Sequence, residues 1–167
     1  MATVSLPMTN QRRSFIPALV RTGLLVGVSD AIFATTLTQV PPLSTPLRLW
    51  QGVASVPFGK EMLDGGIATA VLGLLVHFCV AFAWSGLFLI AFYNWRGLRE
   101  TIRNPFGAFA VAAAYGMSIW LMMSHVLIPA FVDRPPNIGP KYWILLIGHI
   151  PFVALPMVLA NRGDSST

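Results

Sequence analysis

From Ala68 to Phe92 the chain reads ATAVLGLLVHFCVAFAWSGLFLIAF, an apolar run without a single Asp, Glu, Lys or Arg. A helix rising 1.5 Å per residue crosses a hydrocarbon core about 30 Å thick with roughly 20 such residues. The run is therefore a membrane span. It is entered through Gly65-Gly66 and closed by Tyr93-Asn94-Trp95-Arg96, where glycine, polar groups and charge stop an apolar helix. Three more stretches meet the same test. One runs from Ala18 to Val40 and stops at Pro41-Pro42. Another runs from Phe106 to Phe131, between Asn104-Pro105 and Asp133-Arg134-Pro135-Pro136. The last runs from Tyr142 to Ala160 and is closed by Asn161-Arg162-Gly163. Trp95, Tyr142 and Trp143 stand where interfacial anchors belong. The expected fold is all-α: a four-helix integral membrane bundle over residues 18–160, with a short segment 1–17 before it and a tail 161–167 after it.

The composition agrees. Of 167 residues, 55% are hydrophobic and 10% charged, with a mean hydropathy of +0.69. A soluble domain averages about 25% charged residues, so a water-soluble globule is excluded. Disorder needs low hydrophobicity and high charge, and is excluded too. Cys79 is the only cysteine, which leaves no disulfide scaffold. It is expected to be a small buried hydrophobe, on another helix face from His77.

Lys and Arg at the flanks set the orientation. Arg12, Arg13, Arg21, Arg96, Arg99, Arg103 and Arg162 fall on one side, seven in all, and Arg48, Lys60, Arg134 and Lys141 on the other. Both termini are therefore expected in the cytoplasm. The formal charge of +5 needs no nucleic acid to explain it. Arg12-Arg13-Ser14-Phe15 before an apolar stretch resembles a twin-arginine export signal. Against cleavage stand Arg21, the length of the stretch and the lack of a small-x-small site before Pro41-Pro42. The polar ends, Met1 to Gln11 and Gly163 to Thr167, are expected to be mobile. In the first loop, Leu47 to Val53 suits either a short interfacial helix with Trp50 at headgroup depth or an ordinary connection.

Away from its ends, each span carries one ionisable residue in its apolar run, Asp30, His77, His125 and His149, with Arg21 counted at the flank of the first. Such groups are costly in a bilayer and normally face the bundle interior. Counted from the span ends on the loop-41 side, all four lie about 9 to 15 Å deep at 1.5 Å per residue, in one layer. Gly23, Gly27, Ala31 and Thr35 form a small-residue ridge near Asp30, and Gly73, His77, Ala81 and Ser85 form another. Small ridges are where membrane helices approach. On the third span Ala114, Ser118, Met122 and His125 share a face. The four polar groups are thus expected to converge.

Several chemistries fit that layer. It could be a static polar core, with Asp30 paired to one histidine and the others bonded to carbonyls freed by Pro129, Pro151 or Pro156. Three imidazoles and a carboxylate could hold zinc or another divalent metal. Two histidines on facing helices could hold a haem, given a large enough cavity. An Asp-His chain could relay protons in transport. Ser118 and Ser124 near His125 make no nucleophile motif, Met122-Met123 read as packing, and no phosphate-binding glycine loop is present.

Five stretches carry a resemblance. Gly27-Val28-Ser29-Asp30, Ala54-Ser55-Val56-Pro57-Phe58-Gly59 before Gly65-Gly66, and Leu72-Gly73-Leu74-Leu75-Val76-His77-Phe78 resemble small four-helix bacterial inner-membrane proteins. So do Gly148-His149 and Asn161-Arg162, which are similar to the YagU-like family. The resemblance implies a bacterial cytoplasmic membrane and four helices, and carries over no catalytic residue, cofactor or substrate. The role expected from the sequence is a non-enzymatic membrane component, as a homo-oligomer or within a larger complex. The alternative is proton- or metal-linked work by the Asp/His layer.

Overall fold

Thr45 and Asn104, each followed by proline, start two of the helices in the same way. The Thr45 side chain accepts from the Arg48 amide at 3.1 Å and Asn104 Oδ1 accepts from the Gly107 amide at 2.7 Å. Each satisfies a donor that a helix start leaves open, and the proline that follows lacks one there anyway. The structure, a computed structural model, describes residues 8–132 and 135–163. The helices are α1 (Met8–Thr36), α2 (Pro46–Phe58), α3 (Gly66–Asn94), α4 (Arg96–Thr101), α5 (Pro105–Met122), α6 (Ile128–Phe131), α7 (Pro140–His149) and α8 (Leu155–Arg162). Short 3₁₀ turns follow α1 and α2, and the described residues contain no strand. Residues 1–7, 133–134 and 164–167, which include most of the polar ends and the Asp133-Arg134 stop, lie outside the description.

Four helical stretches are long and apolar enough to cross a membrane: Phe15–Gln39, Gly66–Asn94, Pro105–Phe131 and Pro140–Arg162. They match the four expected spans, and the protein is a multi-pass membrane protein. The differences lie at the ends. The first helix begins at Met8, ahead of its apolar part, and carries Pro17 inside it. The middle loop folds into α4, whose Arg99 donates to the Phe92 and Tyr93 carbonyls at 2.7 and 2.9 Å, satisfying acceptors that the end of α3 leaves open.

The third and fourth spans are each interrupted by a π-helical turn, Met123–Leu127 and Ile150–Ala154. Pro129 follows the first and Pro151 lies in the second. Proline has no amide hydrogen and crowds the carbonyl four residues back, so the hydrogen-bond ladder widens around it. The two π turns fall on His125 and immediately after His149.

The first span packs against α3 on one side and against the fourth span on the other, while α5 packs on the fourth span. The Tyr115 hydroxyl, donating to the Trp84 carbonyl at 2.8 Å, ties α5 to α3. Glycines set the close approaches. A Cβ on Gly23 or Gly27 would strike the Phe82 or Phe78 ring, so the expected ridge of α1 is a seat for two phenyl groups. A Cβ on Gly116 would lie 2.7 Å from the His149 carbonyl oxygen. The apolar core gathers Phe88, Phe92, Leu98, Ile102, Ala112, Ile119 and Met157. It is weighted to the α4 end of the bundle, opposite the end that holds the histidines.

The first loop is a real helix, and it does not lie apart from the bundle. A Cβ on Gly73 would run into the Trp50 carbonyl, so α2 docks with its backbone directly on α3. Gln51, buried, donates to the Gly66 carbonyl at 3.1 Å.

Three sequence expectations are corrected here. Cys79 is exposed on the outer surface of α3, where lipid surrounds it. It does point away from His77, but not into protein. Tyr142 is buried and is no interfacial anchor, whereas Trp95 and Trp143 are exposed as expected. The face of the third span formed by Ala114, Ser118, Met122 and His125 is exposed along its length, and Ala108, Ala112, Gly116 and Ile119 form the buried one.

Candidate functional site

Asp30 and His77 meet. His77 Nδ1 lies 3.9 Å from Asp30 Oδ2, with the two side chains 12% and 20% exposed. On its other edge, His77 Nε2 donates to the Gly27 carbonyl at 2.9 Å. A carbonyl only accepts, so that bond places the ring hydrogen on Nε2. In a neutral ring Nδ1 is then a bare lone pair facing a carboxylate. Two lone pairs repel, and one added proton, on either atom, turns the contact attractive. The α1 ridge makes this possible, because Gly27 lets α3 come near enough for an imidazole to reach its carbonyl.

Aromatic rings flank His77. Trp50 of α2 stands edge-on to the His77 ring with centroids 5.2 Å apart, and Phe78 does so at 5.6 Å. The bundle packs tightly beside it: a Cβ on Gly148 would strike the Phe33 ring, which stacks on Phe152 at 4.4 Å.

His149 is the third member. It is buried and within electrostatic range of both Asp30 and His77. Its Nδ1 donates to the Leu145 carbonyl at 2.7 Å, so a neutral His149 keeps a free lone pair on Nε2. His125 does not join the group. It sits on the exposed side of the π turn, and its Nε2 shares a 2.7 Å hydrogen bond with the Tyr142 hydroxyl. Tyr142 packs on Trp120 at 5.7 Å, and Trp120 on His149 at 5.0 Å. The four expected residues thus form a pair, a neighbour and an outlier reached through two aromatic rings.

This arrangement bears on two of the chemistries. Among the described residues no three His, Cys, Asp or Glu side chains come together to hold a metal ion. The set of Asp30, His77, His125 and His149 is therefore corrected as a joint ligand set, because His125 faces away from the other three. The expected bonding of histidines to proline-freed carbonyls is corrected as well. His77 and His149 use the carbonyls of Gly27 and Leu145, neither of which lies four residues before a proline.

Sequence reasoning missed Trp50, Trp120 and Tyr142. Tyr142 precedes His149 by seven residues, two turns along one helix face, a signal that could have found it. At the far end of the bundle, buried Asn161 donates to the Thr22 hydroxyl at 3.0 Å and to the Met157 carbonyl at 2.8 Å. Its Oδ1 has no partner, nor have buried Ser85 Oγ and Trp120 Nε1.

No protein-family model matches the chain, and neither a curated protein nor a solved structure does. Function is therefore read from the site itself.

Proposed function

We propose that this protein is a non-enzymatic component of a bacterial cytoplasmic membrane, with both termini inside, acting as a homo-oligomer or in a larger complex. Within it, the Asp30–His77 pair is a polar lock between the first two spans. Seven basic flanking residues on one side against four on the other support the orientation. The resemblance to YagU-like proteins supports the membrane.

The observation that carries the lock is the double engagement of His77, through Nε2 to Gly27 and through Nδ1 toward Asp30. An ionisable side chain alone at a helix centre costs about 2.5–3.5 kcal/mol on insertion scales, so a carboxyl and an imidazole that face each other across the α1–α3 contact hold the two spans in one register.

Infrared difference spectra of wild type and Asp30→Asn, with nitrogen-15-labelled histidine read in parallel, test this. The histidine signals are expected to move in Asp30→Asn, since His77 Nδ1 faces that carboxyl. Histidine signals unchanged by the loss of the carboxylate would refute the lock. A reproducible hydrolase or oxidoreductase activity of the purified protein would refute the non-enzymatic role.

Proton-linked transport is the second reading, favoured by the proximity of His149 to the pair. Proton flux in vesicles that Asp30→Asn abolishes would establish it.

A further inference from the structure

A groove of about 120 Å³ lies between the end of α1, the start of α2 and the start of α7. Ala34, Leu37, Leu49 and Leu145 wall it, and Lys141, in the first turn of α7, lines it as well. Ala34 is one helical turn from Asp30 and Leu145 one turn from His149, so the groove adjoins the polar group without including it.

The walls decide what the groove takes. A space of this size matches about four waters by liquid volume, yet each water needs two to four polar partners, and apolar cavities of similar size stay dry and accept hydrocarbon. Two hydroxyl-bearing residues, Thr38 and Ser44, also line the groove, and the Thr38 hydroxyl already donates to the Thr35 carbonyl at 2.7 Å and accepts from Gln39 at 3.1 Å. The groove is bounded by membrane-spanning stretches, where the surrounding solvent is acyl chain.

The charge beside it is equally specific. Lys141 Nζ donates to the Pro42 carbonyl at 2.6 Å and meets no carboxylate among the described residues. An ammonium has three donors, so it retains two for a ligand. On neighbouring α2, Arg48 is engaged by the Leu63 carbonyl at 2.6 Å and by Asp64 at 3.8 Å. Lys141 is half-buried, which keeps its ammonium close to the apolar walls.

We propose that this groove is a lipid site: it takes part of one acyl chain of an anionic phospholipid, and Lys141 holds the phosphate of that lipid. The proposal is independent of the Asp30–His77 lock, and neither falls with the other.

The test uses the full chain, purified in mild detergent, delipidated and titrated with phosphatidylglycerol or phosphatidylcholine, with bound lipid counted by native mass spectrometry. One basic residue near a membrane surface contributes about 1 kcal/mol toward anionic lipid, so a preference of about fivefold for phosphatidylglycerol is expected. Lys141→Gln should reduce that preference to none while lipid still binds. Ala34→Phe should lower retention of both lipids, and Leu145→Phe serves the same purpose should Ala34→Phe fail to fold. Equal affinity for the two lipids, an unchanged preference in Lys141→Gln, or unchanged retention in folded groove-filled variants would overturn the proposal. So would competition by glycerophosphate as strong as that of intact lipid, or a second copy of the chain occupying the groove in place of lipid.

Discussion

Replacing His77 with leucine removes one member of the intramembrane pair and leaves Asp30 behind. The side chain loses its bond to Gly27, and a hydrogen bond of this kind contributes about 0.5–1.5 kcal/mol net. Membrane double-mutant cycles put an average interhelical polar contact at about 0.6 kcal/mol, so the lower part of that range applies. The greater cost arises at Asp30, whose carboxyl loses its polar neighbour. At about 2.5–3.5 kcal/mol for an unpaired intramembrane charge, with the lost Gly27 bond added, His77→Leu should cost about 3–4 kcal/mol. Asp30→Leu should cost less, about 1 kcal/mol, because a neutral His77 keeps its Gly27 bond. The double variant removes both the charge and its partner. It should be more stable than His77→Leu alone, although it carries one more substitution. Reversible unfolding of the reconstituted protein in a mixed-detergent titration would measure all four corners of this cycle. Independent sites add within about 0.3–0.5 kcal/mol. Additivity within that margin would refute the pairing of Asp30 and His77.

Other perturbations probe the packing around the pair. Gly148→Ala should destabilise by about 1–3 kcal/mol, as overpacking does, because its methyl strikes the Phe33 ring; Phe33→Leu in the same chain should recover part of the loss in a thermal melt. Gly73→Val should push α2 off α3 and withdraw Trp50 from His77, since the new side chain meets the Trp50 carbonyl. A shift of Trp50 emission, in a variant whose other four tryptophans are phenylalanine, reports it, and unchanged emission contradicts the docking. Cys79 is exposed on the outer surface of α3. It should therefore react with a membrane-soluble maleimide and not with a charged one, and Cys79→Ala should change stability by less than about 0.5 kcal/mol. Thr22→Val removes one of two acceptors of the Asn161 amide and should cost about 1–3 kcal/mol, the usual penalty for a buried polar group left short of partners, measurable in the same unfolding titration.

Much of the candidate site could be read from residue positions alone. Asp30 and His77 come out at similar depth once the span ends are placed, and the glycines that allow their contact are visible as Gly23 and Gly27. The side to which the third span turns could not be read. Its inward residues Ala108, Ala112, Gly116 and Ile119 and its outward residues Ala114, Ser118 and Met122 have similar size and polarity. Lipid is as apolar as the core, so hydropathy holds no contrast between the two faces. The π turn at His125 adds a local change of helical phase that 3.6-residue spacing does not anticipate.

What the sequence determined by itself was solvent and span. An apolar run without charge has to satisfy its own backbone, and in a bilayer a helix is the way one segment does so. That requirement is local, so four helices and nearly all of their limits follow from composition and from the glycines, prolines and charges at their ends. What only the tertiary structure decided was which side chains meet. The reach of His77 to Gly27, the docking of α2 on Gly73 and the turn of His125 toward Tyr142 depend on close approaches between residues far apart in the chain. Those approaches are set by shape, by a missing Cβ or a ring in a groove, and shape across an interface is a property of two helices together.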